Sequence, residues 1–207
     1  RMNRNKPSGS KKDSFLQHPY IRRFIAFLID WYVSSFFALI PTVIFQSING
    51  KDLVLINRID TLNSMQAVTA TLLALFIYIY YFCVFPLSPL SGFKIGQTPG
   101  RRLLGISLVK IDSSRLTFKD LFIRDFIGVL LLQGNITSVN IYLMALVEMF
   151  SGSAAFVPYL QLAYYLLVAV SLVMVFMKRK QMLHDFISQT RMITVDFFNQ
   201  PYGIKAD

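Results

Sequence analysis

Four long apolar runs, almost free of charge, constrain this chain more than any other feature. They extend from Ile25 to Phe45, from Ala67 to Leu87, from Phe126 to Phe150 with interruptions, and from Phe156 to Met177. Crossing a hydrocarbon core of about 30 Å takes roughly 20 helical residues, and each run reaches that length. Backbone polar groups in lipid must be satisfied within the chain, so spans of this kind are helices. The expected fold is therefore all-α: a polytopic membrane protein with about four transmembrane helices, near 25–45, 67–87, 126–150 and 156–177.

The positions of the basic residues orient these spans. Residues 1–24 hold seven Lys and Arg, residues 88–125 another seven, and residues 178–207 five. The connection after the first span holds only Lys51 and Arg58, offset by Asp52 and Asp60, and the one between the last two spans holds none. Thus 19 of the 21 basic residues fall on one side, which places both termini in the cytoplasm. A net charge of +10 follows from this topology and from attraction to anionic lipid head groups, so nucleic acid is not an expected partner. With 54% hydrophobic and 15% charged residues, a large aqueous domain is excluded. The first span is too long for a signal-peptide core and is expected to be retained. The single cysteine, Cys83, lies inside the second span and cannot form an intrachain disulfide.

Three regions follow: a basic, disordered cytoplasmic tail over 1–20, a membrane domain over 21–195, and a C-terminal cytoplasmic tail over 196–207. Between the second and third spans, residues 93–125 read as an amphipathic segment on the cytoplasmic face. Its Leu and aromatic residues point inward and its Lys and Arg lie at the head groups. Ile106–Ile111 alternates in polarity, so a short strand stands beside a helix as its reading. Gln133, Gly134, Asn135, Thr137 and Asn140 interrupt the third run. Either a short helix from Phe126 to Leu132 breaks inside the membrane, or the span is Ile136–Phe150 and the earlier part is interfacial.

Three motifs connect these regions. Arg22-Arg23-Phe24-Ile25-Ala26-Phe27-Leu28-Ile29-Asp30 opens the first span, Gly96-Gln97-Thr98-Pro99-Gly100-Arg101-Arg102-Leu103-Leu104-Gly105-Ile106 lies in the middle, and Leu183-His184-Asp185-Phe186-Ile187-Ser188-Gln189-Thr190 follows the last span. Together they resemble the RDD family of integral membrane proteins, whose arginine and two aspartates map to Arg23, Asp30 and Asp185. Pro99 stands where many relatives carry an aliphatic residue, and Arg101 where Lys is frequent. The resemblance implies a small bacterial protein of the cell membrane, with some relatives linked to cation/proton antiport and others encoded near exporters.

The residue chemistry allows more than one role. Arg23 and Asp30 are almost two helical turns apart, about 10 Å along one face. Asp30 lies about 7 Å inside the hydrocarbon boundary, where a carboxylate needs a partner, a bundle interior or a hydrated cavity. Its natural partners are Arg23, Arg101, Arg102, Arg124 and the His184-Asp185 pair. These groups form either an ionic latch at the cytoplasmic face or an ion and proton site. The leading expectation is a transporter exchanging monovalent cations for protons, working as a homo-oligomer because four spans enclose little room. The other expectation is an accessory protein that docks a partner membrane complex such as an exporter, or a binder of anionic lipid or peptide. With two His and one Cys, no metal site or cofactor is expected. No nucleophile and base can be paired, so catalysis is not expected either.

Overall fold

The computed structural model describes residues 19–50, 59–88, 93–134, 137–152, 155–176 and 181–195. Residues 1–18 of the expected N-terminal tail, the expected C-terminal tail and part of the connection between the first two spans lie outside the described residues, while residues 19 and 20 of that N-terminal tail already belong to the first helix. Helix α1 runs Pro19–Ile48. Helix α2, Ser64–Ile79, continues as a π-helical turn Tyr80–Val84 and a 3₁₀ turn Phe85–Leu87. After it come α3 (Pro99–Leu103), β1 (Ile106–Lys110) and α4 (Phe118–Leu121), which continues as a π-helix over Phe122–Leu131. The chain ends with α5 (Ser138–Ser151), α6 (Phe156–Phe176), α7 (Leu183–Ile187) and β2 (Thr190–Thr194).

Among the described residues, three helical stretches are long and apolar enough to cross a bilayer: Tyr20–Ile48, Ser64–Leu87 and Phe156–Met174. The third apolar run is divided. Its first piece is the π-helix, and its second is α5, whose 14 residues rise only about 21 Å. Gly134 permits the break, because the Asn140 side chain packs against it where a Cβ would sit, 2.6 Å from Nδ2.

Helices α1 and α2 form a hairpin fastened at its tip by reciprocal amide bonds between Asn49 and Gln66, 2.9 and 3.1 Å long. Gln66 also completes the capping box with Asn63 that starts α2. Small residues bring the helices together: Ala67, Ala70 and Ala74 of α2 are buried with Ala38 of α1, and Tyr78, Leu130, Val139 and Tyr142 complete this core. Large apolar side chains such as Phe24, Phe36, Leu72, Phe76 and Leu166 face outward, as suits a lipid solvent.

The segment 93–125 folds into the end of the bundle instead of lying flat along a surface. Its alternating stretch is a strand: β1 pairs antiparallel with β2, Ile106 opposite Thr194 and Lys110 opposite Thr190. Leu108 and Leu116 turn inward onto Cys83 and Leu121, a second small core beneath this ribbon. Pairing satisfies backbone groups that a surface segment would leave to water. Gly96, at φ +85°, brings the chain against β1, where a Cβ would strike the Leu108 carbonyl.

Gly96→Ala is therefore expected to cost about 2–4 kcal/mol, from a positive φ combined with a backbone clash. Gly50→Ala, also at positive φ (+63°) but in open space, should cost only about 1 kcal/mol. Unfolding midpoints in detergent check the contrast.

Candidate functional site

Asp30 reaches the membrane end of the ribbon from α1 and is almost completely buried. One carboxylate oxygen accepts from the Tyr81 hydroxyl at 2.7 Å and the Gly100 N–H at 2.8 Å, and the other from the Thr98 hydroxyl at 2.5 Å. These donors are neutral, and they tie α1 to the end of α2 and the start of α3. The glycine is required at position 100, because a Cβ would collide with the Ala26 carbonyl and stand 2.9 Å from Asp30 Cγ. Arg23 does not pair with Asp30. It donates to the Met192 carbonyl at 2.6 Å, fastening α1 to β2.

A second buried cluster carries the remaining charges. Arg124 donates through Nε to Asp185 Oδ1 at 2.9 Å and through Nη1 to Asp125 Oδ1. Arg101 Nη2 stands 3.8 Å from the same Asp125 oxygen. The Tyr78 hydroxyl donates to the Asp125 carbonyl at 3.0 Å. His184 Nε2 is 3.6 Å from Asp185, and its Nδ1 is 3.1 Å from the Gln133 amide. Gly128 makes room for α7, since a Cβ there would sit 2.6 Å from His184 Cβ.

The structure thus brings Arg101, Arg124, His184 and Asp185 together, with Asp30 and Arg23 at the margin. Arg102 lies apart, its guanidinium 4.3 Å over the Phe93 ring. Asp125, Tyr81, Thr98, Gly100 and Gln133 were not among the candidate site residues, although Thr98 and Gly100 lie in the central motif and Gln133 in the broken third run. Arg124-Asp125 reads there as the charged face of a surface segment, and only burial reveals its place.

A cavity of about 680 Å³ opens beside both clusters. Arg23, Asp30, Arg101, Arg124, Asp125 and His184 stand at its polar end. Phe24, Phe27 and Trp31 of α1 and Val168 and Leu172 of α6 form apolar walls, and Gln133 and Thr137 border it where the third apolar run is broken. Two atoms of its lining residues are buried without a hydrogen-bond partner, Asp125 Oδ2 and Gln133 Nε2, and only the first belongs to a charged group. Three arginines face three aspartates here, so the site carries little net charge when all are ionised.

Burial raises the Asp185 carboxyl, but Arg124 beside it, together with His184 and Arg23, outweighs that and holds it below the ordinary carboxylate range. Burial pushes His184 down to about 4 against the pull of Asp185. An unfolded histidine titrates near 6.5, so the unfolded chain binds the proton first as pH falls. The stabilising effect of a neutral His184 is complete above pH 6.5 and is lost on descent towards pH 4. The expected loss is on the order of 3 kcal/mol. His184→Gln should flatten that part of the profile, and unfolding in detergent between pH 4 and 7.5 measures it.

No curated protein and no solved structure matches the chain. The model of the RDD family matches residues 19–189, from the start of α1 to the turn before β2, and so takes in Arg23, Asp30 and Asp185 together with every group of the two clusters. The chain belongs to the RDD family of membrane proteins.

Proposed function

We propose that this membrane protein is a transporter, not an enzyme, and exchanges a monovalent cation for protons across a bacterial cell membrane. The observation that carries the reading is Asp125, a carboxylate on the cavity wall with one buried oxygen unpartnered. Such an oxygen can take a proton or a dehydrated cation, whereas the oxygens of Asp30 already accept three hydrogen bonds from the protein. Asp30 and Arg23 then hold the frame, and Arg101, Arg124, His184 and Asp185 set the charge around Asp125. The broken third run supports the same assignment, since interrupted membrane helices border ion sites in many transporters. The basic residues support a four-pass topology with both termini cytoplasmic.

A second reading is favoured by α6, of which only 11% is buried. Its outward Tyr159, Leu162, Tyr165, Leu166 and Val173 offer a long face to lipid, to a second copy or to a partner membrane complex. On that reading the ionic cluster is a latch, and the protein serves as an accessory subunit. Exposed Arg115 and Lys119 would then meet a partner or anionic head groups.

Purified protein in liposomes containing a pH-sensitive dye tests both. Na⁺, K⁺ or Li⁺ gradients are expected to drive proton movement, and Asp125→Asn should abolish it with the fold intact. Asp30→Asn should lower the unfolding temperature yet leave measurable flux. Folded wild-type protein without flux would sink the transport reading. Weaker partner or vesicle association of Arg115→Glu with Lys119→Glu would then favour the accessory role.

A further inference from the structure

Helix α1 buries one row of residues along its whole length: Ala26, Asp30, Ser34, Ala38, Thr42 and Gln46, each four residues after the last. This is the i±4n ridge by which helices pack, and here four of its six members are polar. From Asp30 to Gln46 the row rises about 24 Å, most of the hydrocarbon thickness. Polar side chains turned inward over such a distance are expensive in a membrane protein and mark pathways or interhelical contacts.

The row has three zones. Asp30 and Ser34 line the cavity. Ala38 belongs to the dry core with Leu130, Val139, Ala70 and Ala74. Beyond it lie Thr42 and Gln46, with Gln46 donating to the Thr61 hydroxyl at 3.2 Å. In this far zone Thr42 Oγ1 and the hydroxyl of Tyr142, which meets it from α5, are both buried with no hydrogen-bond partner other than each other. Pro41 adds a further acceptor, because it has no N–H to give the Phe37 carbonyl one turn earlier. Two buried hydroxyls that meet, each with hydrogen-bonding capacity to spare, form a place that a water molecule or a small cation satisfies and an apolar group does not.

We infer that the α1 row is the conduction route of the transporter: Thr42, Gln46 and Tyr142 form a second polar station for protons and a small monovalent cation, separated from the cavity by a plug around Ala38. This rests on the transport reading above and adds to it the far half of the path. The alternative is a dry polar contact between helices, which holds α1 and α5 together and conducts nothing.

Single cysteines placed in a Cys83→Ser background separate the two. Ser34→Cys, Ala38→Cys, Thr42→Cys and Gln46→Cys, with lipid-facing Ile44→Cys as control, are treated in sealed vesicles with a membrane-impermeant cationic methanethiosulfonate applied from one side or the other. Expected is modification of Ser34→Cys from the cavity side, modification of Thr42→Cys and Gln46→Cys from the opposite side, and protection of Ala38→Cys and Ile44→Cys. In the flux assay, near-isosteric Thr42→Val should slow proton movement about tenfold, the effect of a barrier raised by about 1.4 kcal/mol. Thr42→Cys and Gln46→Cys unmodified from both sides, or full flux in Thr42→Val, would overturn the inference while leaving Asp125 as the transport site. Absence of flux in the wild type is a separate result and would remove the transport reading itself.

Discussion

The Asp30 carboxylate, buried on α1 and held by three neutral donors, is the interaction on which the arrangement depends. A carboxylate so far removed from water is costly to leave without hydrogen bonds. The donors come from two other elements, the Tyr81 hydroxyl at the end of α2 and the Thr98 hydroxyl and Gly100 N–H at the start of α3. Satisfying one side chain therefore fixes where the segment after the second span re-enters the bundle. Once α3 is fixed, β1 follows within three residues and has its partner in β2, which Arg23 holds from below through the Met192 carbonyl. The Arg23 and Asp30 of the family pattern thus act in parallel, one on the C-terminal strand and one on the central segment.

Charge balance gives the second cluster a different character. Arg124 bridges Asp125 and Asp185, and removing it would leave two buried carboxylates with Arg101 as their nearest strong cation. Buried ion pairs of this kind contribute less to stability than their geometry implies, because desolvation offsets much of the attraction. Their arrangement beside a cavity, with one carboxylate oxygen of Asp125 left over, is the ground of the transport proposal above. His184 stays neutral, so that Asp185 is balanced by arginines of other elements, Arg124 first among them.

Much of the fold was legible in the sequence, and the reasons for the remainder are physical. Uninterrupted apolar runs gave α1, α2 and α6, and the polar residues from Gln133 to Asn140 gave the break in the third run. The alternation of Ile106–Ile111 allowed a strand but could not choose it, because a strand is settled by its partner. That partner, Thr190–Thr194, lies some eighty residues away and has no pattern of its own. Asp185, Arg101 and Arg124 were legible as site residues from the family pattern and the clustering of charge. Asp125 was not, since Arg-Asp neighbours ahead of an apolar run look the same on a solvated face as in a buried cluster. The polar row of α1 was hidden for another reason: Ser34, Thr42 and Gln46 are spaced among large aromatic residues, and only a known buried face groups them.

That row also explains the small residues on the opposing helix. Ala67, Ala70 and Ala74 of α2 are buried in one core with Ala38 of α1, and such small residues let the two backbones approach closely. Larger side chains across the interface would have separated the helices and made the interior a thick apolar layer. Close approach instead confines the apolar part of the row to Ala38, between Ser34 and Thr42, which stand about 12 Å apart along the axis. On the transport proposal this is the barrier, and α5 is the element placed to open or close it, since its Val139 shares a core with Ala38 and its Tyr142 meets Thr42.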